Sequence, residues 1–142
     1  SSAASDVYKR QGMSRTTGRA EIVKAAEECI AYQITDVIQA MGQEAGVEIG
    51  QLRVDGGPTK DRYLMQFQSD ILGIPVAVPE REELSAMGAA FCAGIAAGVY
   101  SKEIFQGVRR QNYAPQMEEE TRQAKYAGWK QAVAMLLNRP RS

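Results

Sequence analysis

The residues most suggestive of chemistry form the stretch Arg53-Val54-Asp55-Gly56-Gly57-Pro58-Thr59-Lys60-Asp61. A short apolar run ends at an acid, passes two glycines and enters a segment with helical character. Glycine takes positive φ and lets a ligand approach the backbone, and the first turn of a following helix presents unpaired N–H groups to an anion. The pattern therefore indicates a phosphate or nucleotide site, although Asp-Gly-Gly alone is also typical of an ordinary turn.

The lack of histidine removes several classes of active site. The 142 residues include none, which excludes Ser-His-Asp and Cys-His nucleophile pairs and every histidine-containing metal site. Two isolated cysteines, Cys29 and Cys92, lie in apolar sequence surroundings. This placement predicts buried thiols without a disulfide, in a reduced, cytoplasmic protein.

Length and composition fit one soluble globular domain. With 44% apolar residues, 24% charged residues and 17 charges of each sign, the chain can bury a core and does not resemble a disordered segment. The zero net charge argues against nucleic-acid binding, which needs clustered lysine and arginine. No membrane span is expected, because the longest apolar run, residues 86–100, is too short and too rich in glycine and alanine. No secretory signal peptide is recognised.

Acidic residues before the third predicted helix offer an alternative chemistry. Glu80, Glu82 and Glu83 precede that helix, but nothing places two carboxylates across a cleft, as an acid-pair hydrolase requires. We interpret these carboxylates as partners of the helix dipole.

The elements around the glycines begin with a long amphipathic helix. Residues 1–11 are small and polar and are interpreted as an appended or disordered leader, and residues 12–142 as the domain. Over residues 20–45, apolar side chains recur at three- and four-residue steps, which predicts a helix closed by Gly46. The apolar stripe is Val23, Ala26, Ile30, Ile34, Val37 and Met41, and charged residues such as Asp36 lie off it.

Two strands flank the next predicted helix. Residues 49–54 are predicted as a strand, and Thr59 as the cap of a helix that runs to Leu72 and stops at Gly73. The inner face of this helix is Leu64, Met65, Phe67 and Ile71. Residues 74–79 form the second predicted strand. Pro75 has no backbone N–H, so we expect it at a position where the sheet requires no hydrogen-bond donor.

Two further helices are predicted over residues 84–99 and 118–137, joined by a mixed connection. The last helix carries an apolar face predicted to be core, made of Tyr126, Trp129, Val133 and Leu136. The helix over residues 84–99 instead has many small residues, among them Gly88 and Gly94. Glycine inside a helix costs about 1 kcal/mol relative to alanine, so we expect either close approach to a sheet or helix, or a wall of a nucleotide pocket.

This order of elements indicates an α/β fold in which helices cover a small sheet. Two strands do not make a stable sheet on their own. We therefore expect further strands in a segment upstream of this sequence.

Several blocks, in order, resemble the FGGY carbohydrate kinases, the family of the glycerol and pentulose kinases. They are Ile30-Ala31-Tyr32-Gln33, Leu52-Arg53-Val54-Asp55-Gly56-Gly57, residues 64–73 and Ser85-Ala86-Met87-Gly88-Ala89-Ala90. Ala93-Gly94, Gly98 and the helix of Tyr126 and Trp129 continue the pattern over residues 12–137. Blocks in the right order are much more specific than the double glycine alone.

The resemblance implies part of an actin-like, ribonuclease H-like ATPase domain, from the C-terminal portion of the second, nucleotide-binding domain. That domain holds the adenosine end of ATP in this family, and the first domain holds most of the sugar or polyol. On the matching positions, Gly57 offers its backbone to the nucleotide and Gly56 gives the room. Asp61 stands where an asparagine commonly contacts the nucleotide, and an ionised carboxylate cannot donate a hydrogen bond and repels phosphate. Pro58 replaces the usual alanine, which suggests a pentulose kinase branch.

The resemblance also implies ATP and Mg²⁺ as cofactors of a complete enzyme that phosphorylates a sugar or polyol hydroxyl. The family's catalytic aspartate and phosphate-binding loops match no part of this sequence, so no catalytic or metal-binding residue is assigned and the chain alone is expected to be inactive. Two alternatives stay open: a non-catalytic nucleotide-binding or assembly module of the actin-like superfamily, and homo-oligomerisation through helix faces. A dinucleotide-dependent oxidoreductase is disfavoured because the glycines do not form G-x-G-x-x-G.

Overall fold

The computed structural model describes residues 12–80, 84–107 and 109–137. Its elements are α1 (Arg19–Ala45), β1 (Leu52–Arg53), α2 (Arg62–Leu72), β2 (Val76–Pro79), α3 (Leu84–Ala96), β3 (Arg110–Tyr113) and α4 (Glu119–Leu137). Two 3-10 helices, Gly57–Lys60 and Lys102–Gly107, lie between them. The predicted leader and the acids Glu82 and Glu83 fall outside the described residues. The α/β class, with helices covering a small sheet, is confirmed.

β2 is the central strand of a three-stranded sheet. β1 pairs with β2 in parallel, with Leu52 opposite Val76, and β3 pairs antiparallel, with Tyr113 opposite Val76. All of β2 is buried. The predicted count of two strands is wrong, because β3 lies in the segment interpreted as a mixed connection. Its sequence, Arg110-Gln111-Asn112-Tyr113, lacks the apolar alternation that identifies a strand.

The core lies where α1, α2, α4 and the sheet meet. α2 buries Leu64, Met65, Phe67 and Ile71, which confirms its predicted inner face. Tyr32 of α1 packs edge-on against Phe67, with ring centroids 5.5 Å apart, and stacks on Trp129 of α4 at 5.4 Å. This aromatic cluster joins three helices. The pKa of Tyr32 is raised to about 12, mainly by burial and secondly by the charge of Glu28.

The bounds of α1 agree with the prediction, but the face turned to the core does not. Its buried residues are Ala31, Tyr32 and Thr35, whereas Val23, Ile30, Val37 and Met41 of the predicted stripe are 44–58% exposed. The reason is that the side of α1 in contact with α2 and α4 carries the flat ring of Tyr32, the small side chain of Ala31 and the polar Thr35. Gln68 Nε2, for example, donates to the Ala31 carbonyl at 3.2 Å and to Thr35 Oγ1 at 3.3 Å.

Asp36 joins α4 to α1. Its two carboxylate oxygens accept hydrogen bonds from the Tyr126 hydroxyl at 2.5 Å and from Trp129 Nε1 at 2.7 Å. Burial first, and then the hydrogen bond to Asp36, raise the pKa of Tyr126. Tyr126 and Trp129 pack against the core as predicted. Leu136 does not, since it is exposed.

Both predicted glycine stops are confirmed. Gly46 follows α1 with φ 64°, and Gly73 follows α2 with φ 72° and donates its N–H to the Ser69 carbonyl at 2.9 Å. Left-handed backbone of this kind is easy for glycine and strained for other residues.

A close contact explains one of the small residues of α3, Gly94. A Cβ placed there would lie 2.3 Å from Cδ2 of the Tyr100 ring, so the close approach is to a side chain beyond the helix and not to the sheet. α3 ends at Ala96 rather than Val99. The prediction that its N-terminal end walls a nucleotide pocket stays a prediction.

Neither cysteine forms a disulfide within the described residues. Cys29 is half-buried, as the sequence predicted in part, but Cys92 is exposed on α3, so its predicted burial is wrong. Among residues 12–80, 84–107 and 109–137, no helix combines the length and the apolar character of a membrane span.

Candidate functional site

The two glycines form an exposed turn between β1 and α2. Gly56 has φ 102° and ψ 177°, a combination that is essentially restricted to glycine. Its carbonyl accepts two hydrogen bonds from Thr59, at 3.1 Å from the backbone N–H and at 2.7 Å from Oγ1. Gly57 opens the 3-10 helix, and a Cβ added to Gly57 would meet no heavy atom within 4 Å other than those of its chain neighbours. Hydrogen bonds between its own residues thus close the turn, and its outer side is exposed to solvent.

Asp61 caps α2. Its Oδ1 accepts a hydrogen bond from the Leu64 N–H at 3.0 Å, and its own N–H donates to the Pro58 carbonyl at 3.1 Å. The prediction that Thr59 caps this helix is wrong, because the chain makes a turn of 3-10 helix before α2 begins and the cap shifts to Asp61. A carboxylate at this position also suits the helix dipole.

The packing of α2 holds the turn in place. Ser69 Oγ donates towards the Tyr113 carbonyl at 2.8 Å, and Asp70 Oδ1 accepts from the backbone N–H of Gln116 at 2.7 Å. Both side chains are buried. α2 is therefore tied to β3 and to the segment before α4.

Tyr63 lies beside the turn, in the first part of α2. Its hydroxyl donates to Glu28 Oε1 of α1 at 2.7 Å, and its ring stacks on Phe67 with centroids 6.0 Å apart. Burial, followed by the hydrogen bond to Glu28, raises the pKa of Tyr63. The hydrogen bond of Tyr63 links α1 to the start of α2.

Two surface depressions of the described residues lie away from the glycine turn. One of about 630 Å³ lies against Tyr63 and the first turns of α1, including Arg19 and Lys24. The other, of about 400 Å³, lies between the C-terminal ends of α1 and α2. Gly56 and Gly57 are exposed and Asp61 is half-buried, and none of the three lines either depression. These residues also contain no group of three or more His, Cys, Asp or Glu side chains able to hold a metal ion.

Comparison with known proteins identifies the family. Residues 2–97 match the model of the C-terminal domain of the FGGY family of carbohydrate kinases. The chain belongs to this family. It is 44% identical over 133 residues to a glycerol kinase of Natranaerobius thermophilus, a match that covers 90% of this chain and 27% of that protein. The resemblance inferred from sequence blocks is confirmed.

Solved structures of FGGY kinases share the fold. A Plasmodium falciparum glycerol kinase, crystallised with ADP, matches with a TM-score of 0.80 at 29% identity, over 92% of this chain and 27% of that chain. A ligand-bound xylulose kinase of Lactobacillus acidophilus shows the same fold, with a TM-score of 0.72 at 21% identity, over 89% of this chain and 26% of that chain. This likeness confirms the prediction of part of an actin-like ATPase domain. The chain spans about a quarter of the length of these kinases.

The roles predicted for Gly56, Gly57 and Asp61 stay predictions. The structure brings all three residues to one turn and shows that Asp61 has a structural partner in the Leu64 N–H. The sequence reading missed the Thr59 hydroxyl as a tie within the turn. The sequence carried a signal for this hydrogen bond, because a threonine three residues after a glycine in a turn can donate its hydroxyl to the backbone.

Proposed function

We propose that this protein is the nucleotide-binding portion of an ATP-dependent carbohydrate kinase, which transfers a phosphoryl group to a hydroxyl of a sugar or polyol. The family match carries the proposal, and the exposed glycine turn supports it. The 44% identity to a glycerol kinase favours a polyol acceptor over the pentulose acceptor suggested by Pro58.

The turn gives the chain a means of binding a nucleotide. Gly57 has open space on its outer side, so a ligand can approach its backbone, and the Gly57 N–H has no acceptor within the 3-10 helix that it opens. The described residues thus fit a nucleotide at this turn. Catalysis in phosphoryl transfer rests on positioning and on stabilisation of phosphate charge, and we assign this chain to the positioning of the nucleotide.

Mg²⁺ enters this proposal with the phosphates of ATP and not on the side chains of the described residues. These residues offer no cluster of metal ligands, and Mg²⁺ in kinases is commonly held by substrate phosphates and one or two carboxylates. When bound, Mg²⁺ neutralises phosphate charge. No residue of this chain is proposed as the general base. Its unpaired thiols support a reducing, cytoplasmic location.

Calorimetric titration of ADP and of MgATP into the purified chain tests the proposal. We expect saturable binding of both nucleotides at one site per chain, because the turn contacts a part of the nucleotide that ATP and ADP share. Adenosine and pyrophosphate, titrated separately, show which end of the nucleotide is held. A chain that is folded by circular dichroism but gives no saturable heat with either nucleotide contradicts the proposal.

Substitution of Asp61 is expected to separate its structural effect from its electrostatic one. Asp61→Ala removes the cap of α2 and should lower the free energy of unfolding by about 1 kcal/mol. Asp61→Asn keeps an acceptor oxygen for the Leu64 N–H, so its stability should stay near wild type. Because it also removes a negative charge beside the bound phosphates, ADP should bind about fivefold more tightly, equivalent to about 1 kcal/mol.

Urea unfolding and calorimetry on the same three proteins check this prediction. Asparagine is the matched control, since it retains the shape of aspartate and loses only the charge. If Asp61→Asn binds ADP as weakly as wild type or more weakly, the charge of Asp61 does not oppose nucleotide binding.

A further inference from the structure

One face of α1 is apolar and is left uncovered by the described residues. Val23, Ile30 and Val37 recur at heptad spacing and are 44–58% exposed. Ala26 and Gln33, which lie between them on the same face, are exposed as well. These five residues, the exposed stripe, follow the three- and four-residue steps of a helix that packs against another helix. Contiguous exposed apolar surface marks an interaction site, whereas scattered apolar residues do not.

Two charged residues of α1 lie at the ends where the helix dipole does not favour them. Arg19 is the first residue of α1, and Glu44 lies in its last turn, which has no basic residue. The dipole favours acidic side chains at the N-terminus and basic side chains at the C-terminus. A second α1 that lay antiparallel against the first would bring Arg19 of each copy near Glu44 of the other. The two ends of the stripe are therefore complementary in charge in that orientation.

A depression and a long side chain lie at opposite ends of the exposed stripe. The depression, of about 630 Å³, is lined by Ala20, Val23, Glu27 and Tyr63, among others. Met41, which is 57% exposed, lies about four helical turns beyond Glu27 and thus on the same flank of α1. In an antiparallel pair related by a two-fold axis, the same flank of each helix faces its copy. The flexible Met41 side chain of each copy can then fill the depression of the other.

We propose that the exposed stripe is a self-association surface, against which a second copy of this chain packs its own α1 in antiparallel orientation. The contact is isologous, so each favourable pair of residues occurs twice. It requires no nucleotide, and it is therefore independent of the proposed function.

The size of the exposed stripe predicts a weak dimer. From Val23 to Met41 the helix is about 27 Å long, and its width with side chains is about 10 Å. The contact area is thus smaller than the roughly 800 Å² per partner of a standard interface. We expect a dissociation constant of about 10–100 μM.

Sedimentation of the purified chain over about 5–500 μM tests the proposal. The average mass should rise from that of one chain towards that of two. Val37→Glu would bury a carboxylate against apolar side chains, and should weaken association by at least about tenfold. Met135→Glu is the matched control, because Val37 and Met135 are both 58% exposed but Met135 lies on α4. Its dissociation constant should stay within about twofold of wild type.

Charge reversal tests the antiparallel orientation. Arg19→Glu and Glu44→Arg should each weaken association about fivefold at low salt, and the double variant should return to within about twofold of wild type. Both changes suit the helix dipole, so we do not expect either to destabilise the monomer. A chain that keeps the mass of one copy up to about 500 μM, where a dimer of the expected affinity would prevail, overturns the inference. So does a Val37→Glu variant that associates like wild type, or a double reversal that associates no better than the single ones.

Discussion

Asp36→Ala is expected to lower the free energy of unfolding by about 3 kcal/mol, because it removes two hydrogen bonds to one carboxylate. The Tyr126 hydroxyl and Trp129 Nε1 both donate to Asp36, at 2.5 and 2.7 Å. Both rings also pack against the core. If the carboxylate is lost, Trp129 Nε1 needs another acceptor, whereas the Tyr126 hydroxyl also lies 3.0 Å from Gln39 Oε1. Urea denaturation followed by tryptophan fluorescence measures the change, since Trp129 is the single tryptophan of the chain.

Matched variants divide this effect between the two donors. Asp36→Asn keeps one acceptor oxygen and should lose about half as much stability as alanine, and Tyr126→Phe removes one donor without changing the ring, for about 1–2 kcal/mol. The double variant Asp36→Ala with Tyr126→Phe should lose less than the sum of the single changes, because both remove the same bond. A loss below about 0.5 kcal/mol in Asp36→Ala, the range of ordinary surface substitutions, would show that α4 is held to α1 by ring packing alone.

Local signals predicted the glycine stops of α1 and α2 and the inner face of α2 from the sequence. Gly46 and Gly73 both adopt left-handed backbone where the helices stop, since the penalty on other residues makes glycine the usual choice there. The face of α2 was predictable because its large apolar residues all meet one core. In such elements the hydrophobic periodicity, the observed burial and the glycine at the helix end all indicate the same helix with the same buried face.

The face of α1 was not predictable from periodicity alone. A hydrophobic stripe shows which side of a helix is most apolar, but neighbouring helices decide which side is covered. α1 turns Tyr32 and Thr35 to α2, while Asp36, which the sequence places off the apolar stripe, carries the contact to α4. The partners of Asp36 lie about ninety residues further along the chain, and such a pairing leaves no local pattern.

The candidate site was predictable in position but not in its internal bonding. The double glycine after an apolar run located the turn, because glycine is the residue that permits the backbone of Gly56. The intervening 3-10 helix was missed, and with it the transfer of the cap from Thr59 to Asp61. One additional turn of 3-10 helix depends on where α2 docks against the sheet, which tertiary packing determines.

Gly57→Val is expected to abolish detectable ADP binding while leaving the fold nearly as stable as wild type. Apart from the chain neighbours of Gly57, no heavy atom lies within 4 Å of the position of a Gly57 Cβ, so a side chain at this position has open space on its outer side. It would occupy the space through which a nucleotide reaches the Gly57 N–H. Calorimetry with ADP gives the affinity, and urea unfolding should show a change below about 0.5 kcal/mol.

Gly56→Ala is the matched control, because the neighbouring glycine serves a different purpose. At φ 102° and ψ 177°, alanine at position 56 is strained and should cost about 1–3 kcal/mol of stability. Loss of ADP binding in Gly56→Ala thus comes with loss of stability, whereas in Gly57→Val the two are separated. If wild type binds ADP and Gly57→Val binds it equally well, the nucleotide does not approach Gly57, and the site must lie elsewhere on the chain.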